Sequence, residues 1–259
     1  MLNVLAADII ERFYAFMWPM LRISALMLTA PILSQNAINT RLRILIALVL
    51  TWLIYPLHRW PQLDPSSAEG LLQVFNQVAI GATMGLVMQI VVAAVVLGGQ
   101  SISSAMGLSM ANMIDPNLGS VPVISQFLLV LASLIFVGFG GHAILLAIVS
   151  ESFETIPIGT SILNQALLGK VVQWSSMMFL GALLMALPVM VFLLFINVGL
   201  GIVTRAAPSL NIFAVGFPAM TLAGFLVLIV SMDAVGGRID WLWMQAFGVV
   251  RELTGVGRV

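Results

Sequence analysis

Few residues in this chain are equipped for chemistry. Cysteine is absent, which excludes a disulfide framework, a thiolate nucleophile and a thiolate metal site. The two histidines, His58 and His142, are far apart in sequence. His58 precedes Arg59 in a polar stretch and is expected to be solvated. His142 follows the GFGG turn at 138–141 and is expected to pack at a helix start, where an imidazole could titrate or hydrogen-bond a neighbour. Two isolated histidines with no nearby carboxylate do not make a metal site. Glu151 and Glu154 would share a helix face, but neither has a general-base task in view. No P-loop, HExxH or nucleophile elbow is present. The expectation is a non-enzyme without a cofactor.

Two arginines raise sharper questions. Arg22 lies inside the apolar run 13–33, nine residues before Pro31. An arginine at membrane depth is costly unless it is paired or faces water. Either the helix end is shifted and Arg22 snorkels, or it is buried against a carboxylate, on this chain or on another subunit. Arg205 poses the same problem, because it separates two apolar runs in IVTRAAPSLNIF. Carboxylates are scarce: only Asp115 occurs between Gly70 and Val149, and Asp233 lies near the end of the last run. Ion-coupled transport is therefore poorly supported.

The elements that must carry these residues are apolar. Hydrophobic residues make up 61% of the 259, and charged ones 8%. Soluble domains carry about 25% charged residues, so a soluble globular protein is excluded. The zero net charge gives no footprint for nucleic acid. Asp8 and Glu11 stand where a cleavable leader would be basic, so the first apolar segment is expected to be retained.

Apolar runs fall at about 13–33, 42–57, 71–97, 123–149, 174–203 and 211–235. They are unbroken and rich in Leu, Ala, Met and Val, which favours helices over barrel strands. As bilayer spans they fit badly. The run 42–57 is short, and the charge-free stretch 70–114 would reach ~68 Å as one helix. A bilayer core is roughly 30 Å thick, so that stretch is expected to break, turn back or leave the membrane, with Gly98-Gly99 as the place for a break. Pro19, Pro31, Pro56, Pro188 and Pro218 predict either ordinary kinks or broken hairpins. Gly81 and Gly85 form a GxxxG pattern suited to packing within the chain or against a partner helix. Basic residues at the termini and even loops outnumber those of the odd loops, which leans towards cytoplasmic termini.

The stretch 98–122, GGQSISSAMGLSMANMIDPNLGSVP, stands out between these runs. It is dense in glycine and serine, interspersed with Met106, Met110 and Met113, and charged only at Asp115. Methionine adapts to variable shapes, and a soft apolar constriction can seal a pore. Composition leaves this segment as either a movable pore element or an ordinary loop.

Five blocks resemble the FliR/SctT family of type III secretion export-gate proteins: Arg22 with APILS at 30–34, the glycines of the third run, GGQSISSAMGLSMANMIDP at 98–116, GHAILLAIVSESFETIPIG at 141–159, and ALPVMVFLLFINVGLGIVTRAAPSLNIFAVGFP at 186–218. The 205–218 portion looks like the flagellar branch. Two positions depart. Some relatives place a carboxylate near the position of Asn197, so no Arg205–carboxylate pair is inferred within that segment. Ala143 follows His142 where a second histidine is frequent.

The resemblance implies an all-α membrane protein of kinked helical hairpins. A FliP-like half (about 1–165) would precede a FliQ-like half (about 166–259), within a single export-gate domain packed in a helical hetero-oligomer. It implies FliP and FliQ homologues as core partners, FlhB and FlhA homologues as associates, and unfolded flagellar proteins as cargo. The setting would be the bacterial inner membrane at the flagellar basal body, with part of the assembly on the periplasmic side. Residues 106–122 would act as a plug. In the closed state Met106, Met110 and Met113 would occlude the lumen, Gly107 and Gly119 would act as hinges, and Pro116 would restrain the backbone beside Asp115. Arg22 and Arg205 are the candidate buried or inter-subunit charges.

Overall fold

A computed structural model describes residues 2–31, 39–108, 122–160, 165–206 and 212–257. Among them there is no strand, and the chain is an all-α membrane protein. Its helices are α1 (Leu2–Thr29), α2 (Thr40–Ile54), α3 (Ala68–Ala105), α4 (Val123–Gly138), α5 (Gly141–Thr155), α6 (Gln165–Ser175), α7 (Met177–Ala206), α8 (Ile212–Val230) and α9 (Met232–Thr254). A single 3-10 turn, Tyr55–Leu57, closes α2 around Pro56. Among the described residues, three helical stretches are long and apolar enough to cross a membrane: Thr40–Leu57, Ala68–Ala105 and Leu167–Ala206. Counting each of two bent helix pairs as one span gives up to five.

Pro56 lies in the turn that ends α2, but three other prolines break nothing. Pro19, Pro188 and Pro218 all lie inside continuous helices. Small residues stand between other helices: Gly140, with φ +74°, precedes α5, Ser176 lies between α6 and α7, and Ser231 lies between α8 and α9. Glycine reaches positive φ without a Cβ clash, which explains the GFGG turn.

The expected rupture at Gly98-Gly99 does not occur. α3 runs unbroken for 38 residues, about 57 Å at 1.5 Å per residue. The glycines serve close packing. A Cβ on Gly98 would lie 2.3 Å from Met185 Cε and 3.2 Å from the Ala182 carbonyl oxygen. A Cβ on Gly99 would lie 2.6 Å from Ser125 Cα. Helix propensity at these positions yields to the contact made with α7 and α4.

The chain forms two compact units that interleave along the sequence. The first comprises Met1–Gln89, Gly140–Ser175 and Gln245–Val259; the second comprises Ile90–Phe139 and Ser176–Met244.

In the first unit, α1 packs on α2, which turns Ala47, Thr51 and Ile54 inward at helical spacing. The GxxxG pair mates α3 to α1. A Cβ on Gly81 would sit 2.1 Å from the Arg22 carbonyl oxygen, and one on Gly85 would sit 1.9 Å from Thr29 Oγ1. Of the two uses open to this motif, packing within the chain is the one realised. Ser67 caps α3 by accepting a hydrogen bond from the Gly70 amide at 2.9 Å. Trp174 Nε1 donates to the Val87 carbonyl at 3.0 Å and ties α6 to α3.

In the second unit the core gathers Ile102, Leu128, Met185, Val189, Leu242 and Trp243. Trp243 Nε1 donates to the Ala132 carbonyl at 3.2 Å, and its ring lies 4.8 Å from that of Phe136.

Large apolar side chains also face outward. Trp52 on α2 is 73% exposed and Phe195 on α7 is 72% exposed. Their neighbours Leu45, Val49, Phe192 and Val198 are exposed too. Such faces need lipid or another protein against them.

Candidate functional site: a buried arginine and a methionine-anchored helix end

Arg22 is fully buried. It sits on the α1 face against which α3 packs, too far inside to snorkel. Its Nε donates to Gln77 Oε1 at 2.8 Å. Its Nη1 donates to the Ser152 carbonyl at 2.8 Å and to Ser152 Oγ at 2.9 Å, and its Nη2 donates to the Ile156 carbonyl at 2.9 Å. The guanidinium carbon lies 4.2 Å from the centroid of the Phe153 ring, within cation–π range.

No carboxylate takes part, which answers the expectation of an acidic partner within the described chain. The charge is held by the C-terminal end of α5. The last carbonyls of a helix lack intrahelical donors and carry the negative end of its dipole. Arg22 caps that end from the side. Ser152 is fixed in turn, since its hydroxyl also donates to the Val149 carbonyl at 2.6 Å.

Beside this cluster, His58 departs from the expected solvated role. Its side chain is only 11% exposed, with Nδ1 3.6 Å from Glu154 Oε1 and Nε2 3.2 Å from Ser150 Oγ. Trp60 and Phe153 flank the ring. Trp60 and Phe153 cover part of the ring, a contact that the local polar sequence does not reveal. His142 departs in the opposite sense: it is exposed on the first turn of α5. Glu151 and Glu154 do share helix α5, and both are exposed. Among the described residues no cluster of potential metal ligands forms.

The other region belongs to the second unit. α3 ends in a Schellman turn. The Gly107 amide donates to the Ser104 carbonyl and the Leu108 amide to the Ser103 carbonyl, both at 3.0 Å. Gly107 takes φ +79°, the left-handed geometry this cap demands.

Met106 is fully buried just before it. Its side chain fills the notch at Gly224 of α8, where an added Cβ would lie 2.4 to 2.9 Å from Met106 Cγ, Cε and Sδ. A Cβ on Gly107 would meet Phe217 at 3.4 Å. Thr221 Oγ1 donates to the Phe217 carbonyl at 3.0 Å, and reaches the Met106 carbonyl at 3.5 Å. Phe217, Thr221 and Gly224 thus form one face of α8 holding the end of α3. Met106 therefore faces the core, in contrast to the expectation that its side chain lines an opening. Met110, Met113, Asp115, Pro116 and Gly119 lie outside the described residues.

An open apolar groove of about 330 Å³ runs along α7 next to this end, lined by Ala105, Leu187, Val191, Leu194 and Met220, with Asn197 as its polar residue. Arg205, in the last turn of α7, is exposed.

Long apolar helices with outward apolar faces and a buried cation held by helix carbonyls define an all-helical membrane protein. Residues 13–246 match the family described as bacterial export proteins, family 1, and the chain belongs to that family. It is similar to the flagellar biosynthetic protein FliR of Pectobacterium carotovorum, at 33% identity over 98% of this chain and 97% of that protein. The FliR protein of Escherichia coli K12 is 32% identical over the same shares. That of Bacillus subtilis is 31% identical over 88% of this chain and 90% of the relative. The chain is thus a component of the flagellar export apparatus.

Proposed function

We propose that this chain is a non-enzymatic subunit of the flagellar type III secretion export gate, and that residues 106–122 plug its pore. It assembles with FliP- and FliQ-like subunits, and FlhB- and FlhA-like proteins associate with that core. Its place is the bacterial inner membrane at the basal body, with part of the assembly on the periplasmic side. Unfolded flagellar proteins are the cargo. In this reading a FliP-like half (about 1–165) and a FliQ-like half (about 166–259) supply the surfaces for partners.

The end of α3 carries the plug reading. A buried Met106 and a left-handed Gly107 form a firm root followed by a pivot. The segment beyond, with Met110, Met113, Asp115, Pro116 and Gly119, supplies the seal. Soft methionines close a channel against ions and yield to a passing chain.

A second reading is favoured by the exposed apolar faces of α2 and α7: the chain nucleates the assembly, and 106–122 packs between subunits. Replacing residues 109–121 by a short Gly-Ser linker leaves Met106 and Gly107 in place and separates the two. The plug reading expects the gate to assemble on a native gel and to leak small ions. Loss of assembly supports nucleation, and an assembled gate as tight as wild type rules out the plug.

A further inference from the structure

The α1–α3 seam is more polar than an apolar bundle requires. Gln73, Asn76 and Gln77 follow one another at helical spacing on α3 and are 3%, 1% and 0% exposed. Trp18, one turn before Arg22 on α1, is fully buried as well. The two helices run parallel, because Gly81 abuts Arg22 while Gly85 abuts Thr29 further along both. Helical side chains lean towards the N-terminus, so Arg22 reaches back to Gln77. Trp18 lies one turn back from Arg22 on α1, and Gln73 one turn back from Gln77 on α3, so both stand towards the N-terminal end of the same parallel pair.

Their hydrogen-bonding atoms do not satisfy one another. Trp18 Nε1, Asn76 Nδ2 and Gln77 Nε2 are buried donors without a protein acceptor, and Gln73 Oε1 is a buried acceptor without a donor. Leaving a buried polar group unpaired costs about 1–3 kcal/mol, and such groups are ordinarily satisfied by protein or ordered water. Arg22 adds a positive charge that no carboxylate balances.

We propose that this seam is a buried hydration site. One or more ordered waters accept from Trp18 Nε1 and from the amides of Asn76 and Gln77, and donate to Gln73 Oε1. Water suits the set because it both accepts and donates. A halide satisfies the donors and offsets the Arg22 charge but leaves Gln73 Oε1 unpaired. A partner's side chain cannot reach groups so deeply buried. The waters extend the solvation of the guanidinium into the protein, so that the cation needs no acidic partner.

Crystals of the assembled protein, measured at a resolution that shows ordered water in bromide and in chloride, test this. The expected result is a peak ~2.7–3.2 Å from Trp18 Nε1 and from an amide nitrogen of Asn76 or Gln77, without anomalous signal in bromide. An anomalous bromide peak there would overturn the assignment in favour of an anion. A seam without a peak, with the amides turned into direct contact, would overturn it in favour of a dry core.

Discussion

The cluster around Arg22 and the end of α3 at Met106 are both buried, but they are held by opposite means. Arg22 is fixed by four directional hydrogen bonds and a ring. Its acceptors lie on α3 and at the end of α5, so that moving any one of these elements orphans a charge. Met106 is held by shape: a flexible thioether fills the space of a missing Cβ at Gly224, with a single long hydrogen bond to its carbonyl nearby. Dispersion contacts of this kind weaken gradually, whereas an orphaned guanidinium fails abruptly. The contrast teaches that one buried region is fixed by the direction of its hydrogen bonds and the other by the fit of its shape.

Arg22→Leu should have the largest effect. It strips donors from Gln77, Ser152 and Ile156 together, and the expected loss is on the order of 3–5 kcal/mol, read by denaturant unfolding of the purified protein. Arg22→Lys should recover only part of it, because an ammonium cannot match the guanidinium fork. An equal loss from Arg22→Leu and Met106→Ala would blur the contrast.

Met106→Ala should cost about 2–4 kcal/mol through the cavity at Gly224. Hydrogen exchange should show faster opening at the end of α3 and leave Gln77 and Ser152 protected.

Gly81→Ala and Gly224→Ala sharpen the comparison further. A Cβ at Gly81 meets backbone oxygen at 2.1 Å, and one at Gly224 meets Met106 Cγ at 2.4 Å. Each clash should cost about 1–3 kcal/mol, by thermal unfolding. Gly107→Ala should be the smallest, at about 1 kcal/mol for the left-handed turn, with its effect on opening kinetics rather than on the core.

The odd residues were legible in the sequence; their partners were not. Arg22 stood out as a charge within an apolar run, and Met106-Gly107 as part of an unusual segment. That Arg22 would be met by carbonyls of Ser152 and Ile156 could not be read, because backbone acceptors have no sequence signature. The polar SESFETIP interruption was the available hint that a helix end lay there. Gly98-Gly99 misled because glycine marks both a break and a close approach, and only the presence of α4 and α7 decides between them. His58 misled for a related reason: its burial is supplied by Trp60 and the distant Phe153. The all-helical class followed from the unbroken apolar runs. The interleaved units could not, since they depend on how α3 and α9 are each shared between two cores.

Because the chain lacks cysteine, a single cysteine carrying a photo-crosslinker reports from one place. Met113→Cys, tested in an assembled gate with a stalled flagellar substrate, probes the central claim most directly. The account predicts efficient crosslinking from position 113 and none from the same probe at the buried position 84 of α3. A substrate that is trapped in the gate yet never crosslinks from position 113 would contradict it.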